Sequence, residues 1–382
     1  MLDSLALVPT SLRSLVSAFA SLTALIVLAS CGGTEDDARA VQLDPAGLEA
    51  LREYAMAPDM NTQSVVVMQD GEVVAEWYAP DRGPQDWVTS WSVAKSFAGT
   101  MIGIALHEGL LPSLDEPMTT YIPEWLDTES ASITLRDVLS MSTGHVWKEW
   151  DGPIDDVVAL GTRTDQLGYA LDQEVGFPPG EVWNYSSGAI MLLSRVLMEA
   201  TGMDPSEYAQ SRLFDPLGFE RAEWWEDGGG NTIMYCCIDA TSRDFAKLGQ
   251  LYLQDGVWEG ERLLPEDWVS EATRAQQPDN PSYGLAWWLN GEGGRPDRPT
   301  VPRSLYWAQG FDGQFIFVFP EQGLVVVRNA LFVRPDGPPI APVGITAAGL
   351  GLGGILPTGT VSPGERWDPV TFLELVMEAV VP

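Results

Sequence analysis

Residues 89–109 read TSWSVAKSFAGTMIGIALHEG and contain Lys95, one of only three lysines in a chain of 382 residues. Residues 93–106 are largely apolar and include no proline, which predicts a buried helix that begins near Ser92. Side chains three residues apart lie on the same face of a helix, so Lys95 is expected to carry its ammonium group beside the Ser92 hydroxyl. A lysine at such a position needs a chemical or a structural reason.

The pair of Ser92 and Lys95 is a candidate for an activated serine. Burial among apolar side chains and the positive N-terminal end of a helix both lower the pKa of a lysine. A neutral lysine can accept the proton of a serine hydroxyl, and N–H groups at the same helix end can bind an oxyanion. The alternative is a lysine that extends from a core helix towards solvent, and the spacing alone leaves both interpretations open.

The composition favours a large folded protein that does not bind nucleic acid. The chain is 45% hydrophobic with 15 tryptophans, which fits one large domain or two closely packed lobes. Its formal net charge of −33 would repel a phosphate backbone. The two histidines, His107 and His145, have no cysteine or histidine at ligand spacing, so no metal is expected. An activated serine requires no organic cofactor, so none is expected either. Cys236 and Cys237 are adjacent, and because a bridge between neighbours closes a strained ring, two buried thiols are expected.

The N-terminal region predicts export. An apolar stretch over residues 12–30 ends in LASC, residues 28–31, which resembles the processing box of bacterial lipoproteins. We therefore expect a signal peptide over residues 1–31, lipidation of Cys31 and a polar tether over residues 32–45. The expected protein is an exported bacterial lipoprotein that faces the periplasm or the cell exterior, with the lipid anchor as its only membrane contact. An ordinary signal peptide or an N-terminal anchor helix are the alternatives, since Arg13 is the only cation of the region.

Both ends of the chain predict β-strands. Strand-like runs flank Asp70-Gly71 and residues 321–323, and both positions are hairpin signals. The middle of the chain has helical patterns, for example over residues 187–202 and 241–256, each closed by a glycine. These patterns predict an α/β (α+β) fold with one antiparallel sheet from both chain ends, flanked by helices, and an inserted, mainly helical lobe. The expected bounds are 46–382 for the domain, 46–111 and 283–382 for its α/β lobe, 112–282 for the helical lobe, 336–367 for a loop and 369–381 for a last helix.

Four motifs together resemble a known family. They are WSVAKSF (residues 91–97), WNYSSG (183–188), YCCIDATSRDFAKLG (235–249) and GFDGQFI (310–316). They resemble the serine hydrolases related to penicillin-binding proteins and class C β-lactamases, and among these most closely the branch of 6-aminohexanoate-dimer hydrolase and related esterases. The resemblance spans about residues 60–335 and implies a β-lactamase/transpeptidase-like fold.

The resemblance implies a role for each matched residue. Ser92 would be the acylated nucleophile, Lys95 its base and Tyr185 the group that relays protons. The charge of Lys95 is expected to lower the pKa of Tyr185, so that the three groups act as one coupled unit. The backbone N–H groups of Ser92 and Phe311 would form the oxyanion hole.

The expected substrate contacts include two departures from the β-lactamase pattern. Ser187, Gln309 and Gly310 are the expected contacts, with Gly310 allowing backbone to approach the substrate. Ser187 stands where β-lactamases have an asparagine, and Ala308 stands where a lysine or histidine opens the third motif. A cation there helps to bind a substrate carboxylate. Its loss in a chain of charge −33 favours neutral esters, or amides that carry an amine, over anionic β-lactams.

Residues 144–156, GHVWKEWDGPIDD, occupy the position of a flap over the site in related enzymes. Trp147 and Trp150 are expected to close over an acyl chain, and packing on the surface of the helical lobe is the alternative. His145 begins this loop and could line a pocket, whereas His107 is expected to be a structural residue within a helix.

The sequence therefore predicts a serine hydrolase that cleaves an ester or amide bond of a small molecule through an acyl-enzyme on Ser92. A peptidase acting on D-amino-acid peptides of the cell wall would use the same residues and remains an alternative. A non-catalytic surface lipoprotein that binds a ligand is the other alternative. A Ser-His-Asp hydrolase is disfavoured because the chain has no Gly-x-Ser-x-Gly motif. The sequence leaves the oligomeric state open.

Overall fold

The central feature of the fold is a six-stranded antiparallel sheet made from both ends of the chain. A computed structural model describes residues 41–58, 60–149, 156–291, 300–331 and 367–381. The strands of these residues are β1 (Gln42–Leu43), β2 (Thr62–Gln69), β3 (Glu72–Tyr78), β4 (Trp87–Thr89), β5 (Glu223–Trp224), β6 (Ile238–Thr241), β7 (Val257–Trp258), β8 (Glu261–Arg262), β9 (Trp288–Leu289), β10 (Tyr306–Gly310), β11 (Gln314–Phe319), β12 (Leu324–Ala330) and β13 (Val380–Val381). The order in the main sheet is β3-β2-β12-β11-β10-β9.

The pairing of β2 with β12 joins the two chain ends. Val66 lies opposite Val327 in this antiparallel pair. The hairpin between β2 and β3 turns at Asp70 and Gly71, which both have positive φ, and the connection from β11 to β12 ends at Gly323 with φ 62°. The predicted hairpins and the predicted sheet are therefore confirmed.

Helices cover both faces of the sheet. They are α1 (Pro45–Ala55), α2 (Ala94–His107), α3 (Leu135–Leu139), α4 (Asp156–Gly161), α5 (Gln166–Leu171), α6 (Ser187–Met191), α7 (Leu193–Thr201), α8 (Pro205–Ala209), α9 (Ser242–Leu253), α10 (Trp268–Ala272) and α11 (Pro369–Glu378). Because side chains alternate along a strand, Val65 and Val67 of β2 join one apolar cluster with α1 and α11. Val66 and Met68 join the other cluster, which includes α2 and α9. A strand buried on both faces needs the continuous apolar run that the sequence has here.

Helix α9 belongs to the middle of the chain and nevertheless packs on the main sheet. A side-chain carbon at Gly249 would lie only 2.6 Å from Val325 of β12, so the missing side chain allows this close approach. Helix α9 lies within the predicted helical lobe, 112–282, and the lobe boundaries stay a prediction. Strands β5 and β6 of this region pair with β4 in a small three-stranded sheet of order β4-β6-β5.

Three local features differ from the expectations. An additional strand, β10, precedes the strand that was predicted just before residues 321–323. Gly310 therefore ends β10, and the turn at 311–313 leads to β11. The last helix ends at Glu378, and β13 then pairs with β1. Cys236 and Cys237 form a disulfide, so the prediction of two thiols was wrong, although both residues are buried. Cys237 has a φ of 71°.

Several predictions fall outside the described residues. They concern Cys31, the signal peptide over residues 1–31, nearly all of the tether, Trp150 and the loop over residues 336–366. Within the described ranges, none of the helices combines the length and the apolar character that a membrane span requires.

Candidate active site

Ser92 and Lys95 meet at the start of helix α2. Ser92 lies in a 3-10 turn, Trp91–Val93, that leads directly into the first turn of the helix. The Nζ of Lys95 donates a hydrogen bond of 2.9 Å to the Oγ of Ser92. The contact predicted from the three-residue spacing is therefore present. Twelve consecutive residues of α2, from Ala94 to Ala105, are buried, so this lysine has no open route to solvent along its own helix.

Lys95 has two further acceptors, and both come from distant parts of the chain. Its Nζ donates to the Oγ of Ser187 at 3.1 Å and to the backbone carbonyl of Tyr235 at 3.0 Å. With Ser92, these groups supply one acceptor for each of the three N–H bonds of a lysine ammonium group. The ammonium form is thus fully hydrogen-bonded although its side chain is 1% exposed.

Burial makes the neutral form of Lys95 accessible. It lowers the pKa of Lys95 to about 8, while the negative charge of Glu149 acts in the opposite direction. At pH 7 about one molecule in ten would then carry a neutral lysine, compared with a far smaller fraction for a lysine in water. A neutral amine 2.9 Å from a serine hydroxyl can accept its proton.

Tyr185 lies beside the same ammonium group. Its ring centroid is 4.9 Å from the Nζ of Lys95, and its ring stacks on Trp288 with centroids 5.7 Å apart. Burial, followed by the charge of Glu149, raises the pKa of Tyr185 well above its ordinary value, while a hydrogen bond with Ser92 acts against this rise. The expectation that Lys95 would lower this pKa was wrong, because burial outweighs the nearby cation. Tyr185 is therefore protonated near pH 7.

Glu149 lies at this site although it was not among the residues predicted from the sequence. Its carboxylate accepts hydrogen bonds from the Ser187 hydroxyl at 2.5 Å, from the Ser187 backbone N–H at 2.9 Å and from the Trp147 Nε1 at 2.6 Å. The side chain is 8% exposed. A single carboxylate between two tryptophans in WKEW was the available signal, since buried acids are rare unless they are paired. The contact of the Tyr235 carbonyl could not be predicted in this way, because every residue has a backbone carbonyl.

The backbone of residues 310–311 lies against the turn that carries Ser92. A side-chain carbon at Gly310 would collide with the Ser90 carbonyl oxygen, so only glycine permits this approach. The rings of Phe311 and Trp91 pack edge to face with centroids 5.3 Å apart. The two backbone segments expected to supply the oxyanion hole are therefore neighbours.

The turn after Phe311 rests on a buried arginine. Gly313 has a φ of 81°, and its carbonyl accepts a hydrogen bond of 3.1 Å from Arg328. Arg328 also donates to the carbonyl of Met60 at 2.6 Å, and burial lowers its pKa to about 9. These contacts fix the turn that follows the candidate oxyanion hole.

Comparison with known proteins fits this arrangement. The pattern of the Beta-lactamase family matches residues 49–338, which is most of the chain. The protein belongs to the Beta-lactamase family. Its members include hydrolases of the β-lactamase and penicillin-binding-protein type, and the predicted family and fold are thereby confirmed.

Three relatives illustrate the range of this family. The chain is 26% identical over 301 residues to 6-aminohexanoate-dimer hydrolase of Paenarthrobacter ureafaciens, covering 72% of this chain and 74% of that protein. It is 28% identical over 176 residues to D-aminopeptidase of Gluconobacter oxydans, covering 42% of this chain and 31% of that protein. Its fold is similar to that of EstCE1, a hydrolase with promiscuous acyltransferase activity, with a TM-score of 0.63, 15% identity and coverage of 75% and 92%.

The other predicted residues of this Beta-lactamase family member occupy different environments. Ser187 is 1% exposed and contacts Lys95 and Glu149. Trp147 is 4% exposed and packs against Gly188. Gln309 is half-buried on β10 and accepts a hydrogen bond of 3.2 Å from Trp307. The substrate contacts of these residues stay a prediction.

The two histidines lie outside the contacts of Lys95. His107 is exposed at the last position of α2. His145 is buried, and its ring packs edge to face against Trp125 with centroids 5.7 Å apart. Burial lowers the pKa of His145 to about 4, so the ring is neutral near pH 7.

Proposed function

We propose that this protein is a serine hydrolase that forms an acyl-enzyme on Ser92, with Lys95 as the base and Tyr185 as the proton donor. The observation that carries the proposal is the 2.9 Å hydrogen bond between Lys95 Nζ and Ser92 Oγ, made by a buried lysine whose pKa is lowered to about 8. A purely structural lysine would not need a serine hydroxyl as its partner at a helix start. Membership of a family of hydrolases supports the same assignment.

The proposed reaction has two halves. Oγ of Ser92 bonds to the carbonyl carbon of an ester or amide while its proton moves to the lone pair of neutral Lys95. The developing oxyanion is held by the backbone N–H groups of Ser92 and Phe311. Tyr185 gives its proton to the leaving alcohol or amine as the carbon–oxygen or carbon–nitrogen bond breaks. The Lys95 ammonium group then returns a proton to the Tyr185 oxyanion. Water attacks the acyl carbon, one of its protons passes to Oγ of Ser92 as the acyl bond breaks, and the acid is released.

Two features support a neutral or amine-bearing substrate. Ala308 leaves no cation where a substrate carboxylate would bind in the β-lactamase pattern, and the chain carries a net charge of −33. The ring of Tyr185 belongs to an aromatic group with Trp183, Tyr283 and Trp288. Aromatic faces accommodate both apolar groups and ammonium groups. Substrates of the 6-aminohexanoate amide type and short-chain esters are therefore the first to test.

Labelling with a fluorophosphonate tests the nucleophile directly. The soluble form that begins after residue 31 is treated with the reagent and its intact mass is measured beside that of Ser92→Ala. We expect one adduct on the wild type and none on the variant. An unlabelled wild type between pH 6 and pH 10 would contradict the proposal, and ligand binding would then be the function to pursue.

A D-amino-acid peptidase is the second candidate. The similarity to D-aminopeptidase of Gluconobacter oxydans, over 42% of this chain, favours it. Initial rates on a D-alanyl amide, its L-enantiomer and the 6-aminohexanoate linear dimer separate the two candidates. A strong preference for the D-amide would favour the peptidase, and hydrolysis of the dimer without stereochemical preference would favour the amidase.

Export and lipidation at Cys31 are proposed from the sequence of residues 12–31. Metabolic labelling of the full chain with a palmitate analogue tests this part separately. We expect label on the wild type and its loss in Cys31→Ser.

A further inference from the structure

A chain of hydrogen bonds connects Lys95 to a buried carboxylate. Ser187 stands between them, because its Oγ lies 3.1 Å from Lys95 Nζ and 2.5 Å from Glu149 Oε1. A serine hydroxyl has one hydrogen to donate. A carboxylate can only accept, so that hydrogen is committed to Glu149 and the lone pairs of Ser187 remain for Lys95.

The Tyr235 carbonyl is the second fixed acceptor of Lys95. It lies 3.0 Å from Nζ and has no hydrogen to offer. A neutral lysine has two N–H bonds and one lone pair. If Ser187 and Tyr235 take the two N–H bonds, the lone pair is left for the third neighbour, which is the hydroxyl of Ser92 at 2.9 Å.

We propose that Glu149 is a positioning residue that keeps Ser187 a hydrogen-bond acceptor and thereby directs the lone pair of neutral Lys95 towards Ser92. This inference rests on the proposed function, because it concerns how the base of that reaction is aimed. Without the carboxylate, the Ser187 hydroxyl can rotate and donate to Nζ instead. The lone pair would then face Ser187, and Ser92 would lose its proton acceptor.

The same carboxylate also balances the burial of Lys95. Glu149 is the charged group that raises the pKa of Lys95 against the effect of burial. The other ionisable groups beside Nζ are Tyr185 and Tyr235, whose ring centroids lie at 4.9 Å and 5.5 Å. Burial is the largest cause that raises the pKa of both tyrosines, so both are neutral near pH 7. Removal of the charge of Glu149 is therefore expected to leave Lys95 neutral over a wider pH range.

The two effects give Glu149→Gln an unusual combination of results. The acidic limb of the plot of kcat/KM against pH should move to lower pH by about one pH unit, because the negative charge near Lys95 has been removed. The plateau above that limb should nevertheless fall at least about tenfold, because the neutral lysine is no longer aimed at Ser92. A residue with a purely structural role would lower the plateau without moving the limb.

The lysine content of the chain allows a readout that does not depend on activity. Selective ¹³Cε-lysine labelling gives three signals, from Lys95, Lys148 and Lys247, and single arginine variants of the last two identify them. The Lys95 signal should titrate near pH 8 in the wild type and at lower pH in Glu149→Gln. If fluorophosphonate does not label Ser92, the proposed function fails while this titration still tests Glu149.

Asp239→Asn is the matched control. Asp239 is 2% exposed and also accepts from a hydroxyl, that of Thr89 at 2.5 Å, and from an indole, that of Trp225 at 2.9 Å. Its removal should leave the Lys95 titration where it is in the wild type. Equal Lys95 titrations in Glu149→Gln and Asp239→Asn, or an undiminished plateau in Glu149→Gln, would overturn the proposal.

Ser187→Ala covers the case in which Glu149→Gln does not fold. It removes the bridging hydroxyl and keeps the carboxylate, so the plateau should fall at least about tenfold. The Lys95 titration should move less than in Glu149→Gln, because the charge remains. An unchanged plateau in a folded Ser187→Ala protein would by itself overturn the proposal that Ser187 links Glu149 to Lys95.

Discussion

The Nζ of Lys95 lies 2.9 Å from the Oγ of Ser92, in a position where the lysine is 1% exposed and every N–H of its ammonium form has an acceptor. Burial favours the neutral form of this lysine, whereas the negative charge of Glu149 favours the charged form. The balance leaves the pKa of Lys95 at about 8. The proposed base therefore has a pKa close to neutral pH, where general-base catalysis is most effective.

The first prediction concerns the pH dependence of acylation. If neutral Lys95 is the base, kcat/KM for a neutral ester should rise tenfold per pH unit below about pH 8 and level off above it. The sign follows from the loss of the lysine proton as pH rises. Stopped-flow measurements of the acylation rate between pH 6 and pH 10 test this rise. A rate that falls over the same interval would exclude neutral Lys95 as the base.

The second prediction concerns Tyr185→Phe. Burial raises the pKa of Tyr185, so its hydroxyl is protonated near pH 7, and in the proposed reaction it gives this proton to the leaving group. The variant should lose about 10²- to 10⁴-fold in kcat/KM on an alkyl ester, and much less on a nitrophenyl ester, whose leaving group needs no proton. Tyr283→Phe, in the neighbouring ring, is the control and should not change this ratio. Equal losses on both esters would assign Tyr185 a different role.

The third prediction concerns Gly310→Ala. The new carbon would meet the Ser90 carbonyl, so the strand must move away from the turn that carries Ser92. A displacement near 1 Å is expected to reduce kcat/KM about 100-fold with an unchanged pH limb. Gly83→Ala adds the same methyl group with no atom within 4 Å of it and should keep full activity. Near-normal rates in Gly310→Ala would argue against Phe311 as an oxyanion donor.

The fourth prediction concerns acid stability. The pKa of buried His145 is lowered to about 4, whereas an unfolded histidine has a pKa near 6.5. The unfolded state therefore binds the extra proton first, and stability present above about pH 6.5 is lost as pH falls towards 4. Between pH 7 and pH 5 the free energy of unfolding should decrease by about 2 kcal/mol from this residue.

Urea denaturation at the two pH values measures this loss, with His145→Phe as the comparison. The variant removes the titrating ring and keeps an aromatic group against Trp125. Its free energy of unfolding should depend less on pH by about that amount. An equal pH dependence in both proteins would place the acid sensitivity elsewhere.

The sequence was sufficient where a contact depends on local spacing or on a motif. Ser92, in the turn that leads into helix α2, is three residues before Lys95 in the first turn of that helix, so their contact needed no knowledge of the rest of the fold. The hairpin at Asp70 and Gly71 was predictable for the same reason. Strand pairing between the two chain ends followed from the family resemblance and from the apolar runs.

The sequence was insufficient where the site depends on meetings between distant segments. The carbonyl of Tyr235 is 140 residues from Lys95 in the chain, and a backbone group leaves no mark in the sequence. The direction in which the pKa of Tyr185 shifts depends on its burial and on Glu149. The nearby lysine alone therefore suggested a shift of the wrong sign. The disulfide of Cys236 and Cys237 joins neighbouring residues, a pairing that the argument from ring strain had disfavoured.

The pairing of β2 with β12 has a consequence for the synthesis of the protein. Ser64 of β2 and Asn329 of β12 are in hydrogen-bond contact although 265 positions separate them. At ordinary translation rates, β2 must wait on the order of tens of seconds on the ribosome before its partner strand exists. During that time one edge of a strongly apolar strand has no native neighbour, so a chaperone has a long interval in which to bind it. A nascent chain cut short before residue 324 would lack the strand that closes the centre of the sheet, and its N-terminal half should not fold alone.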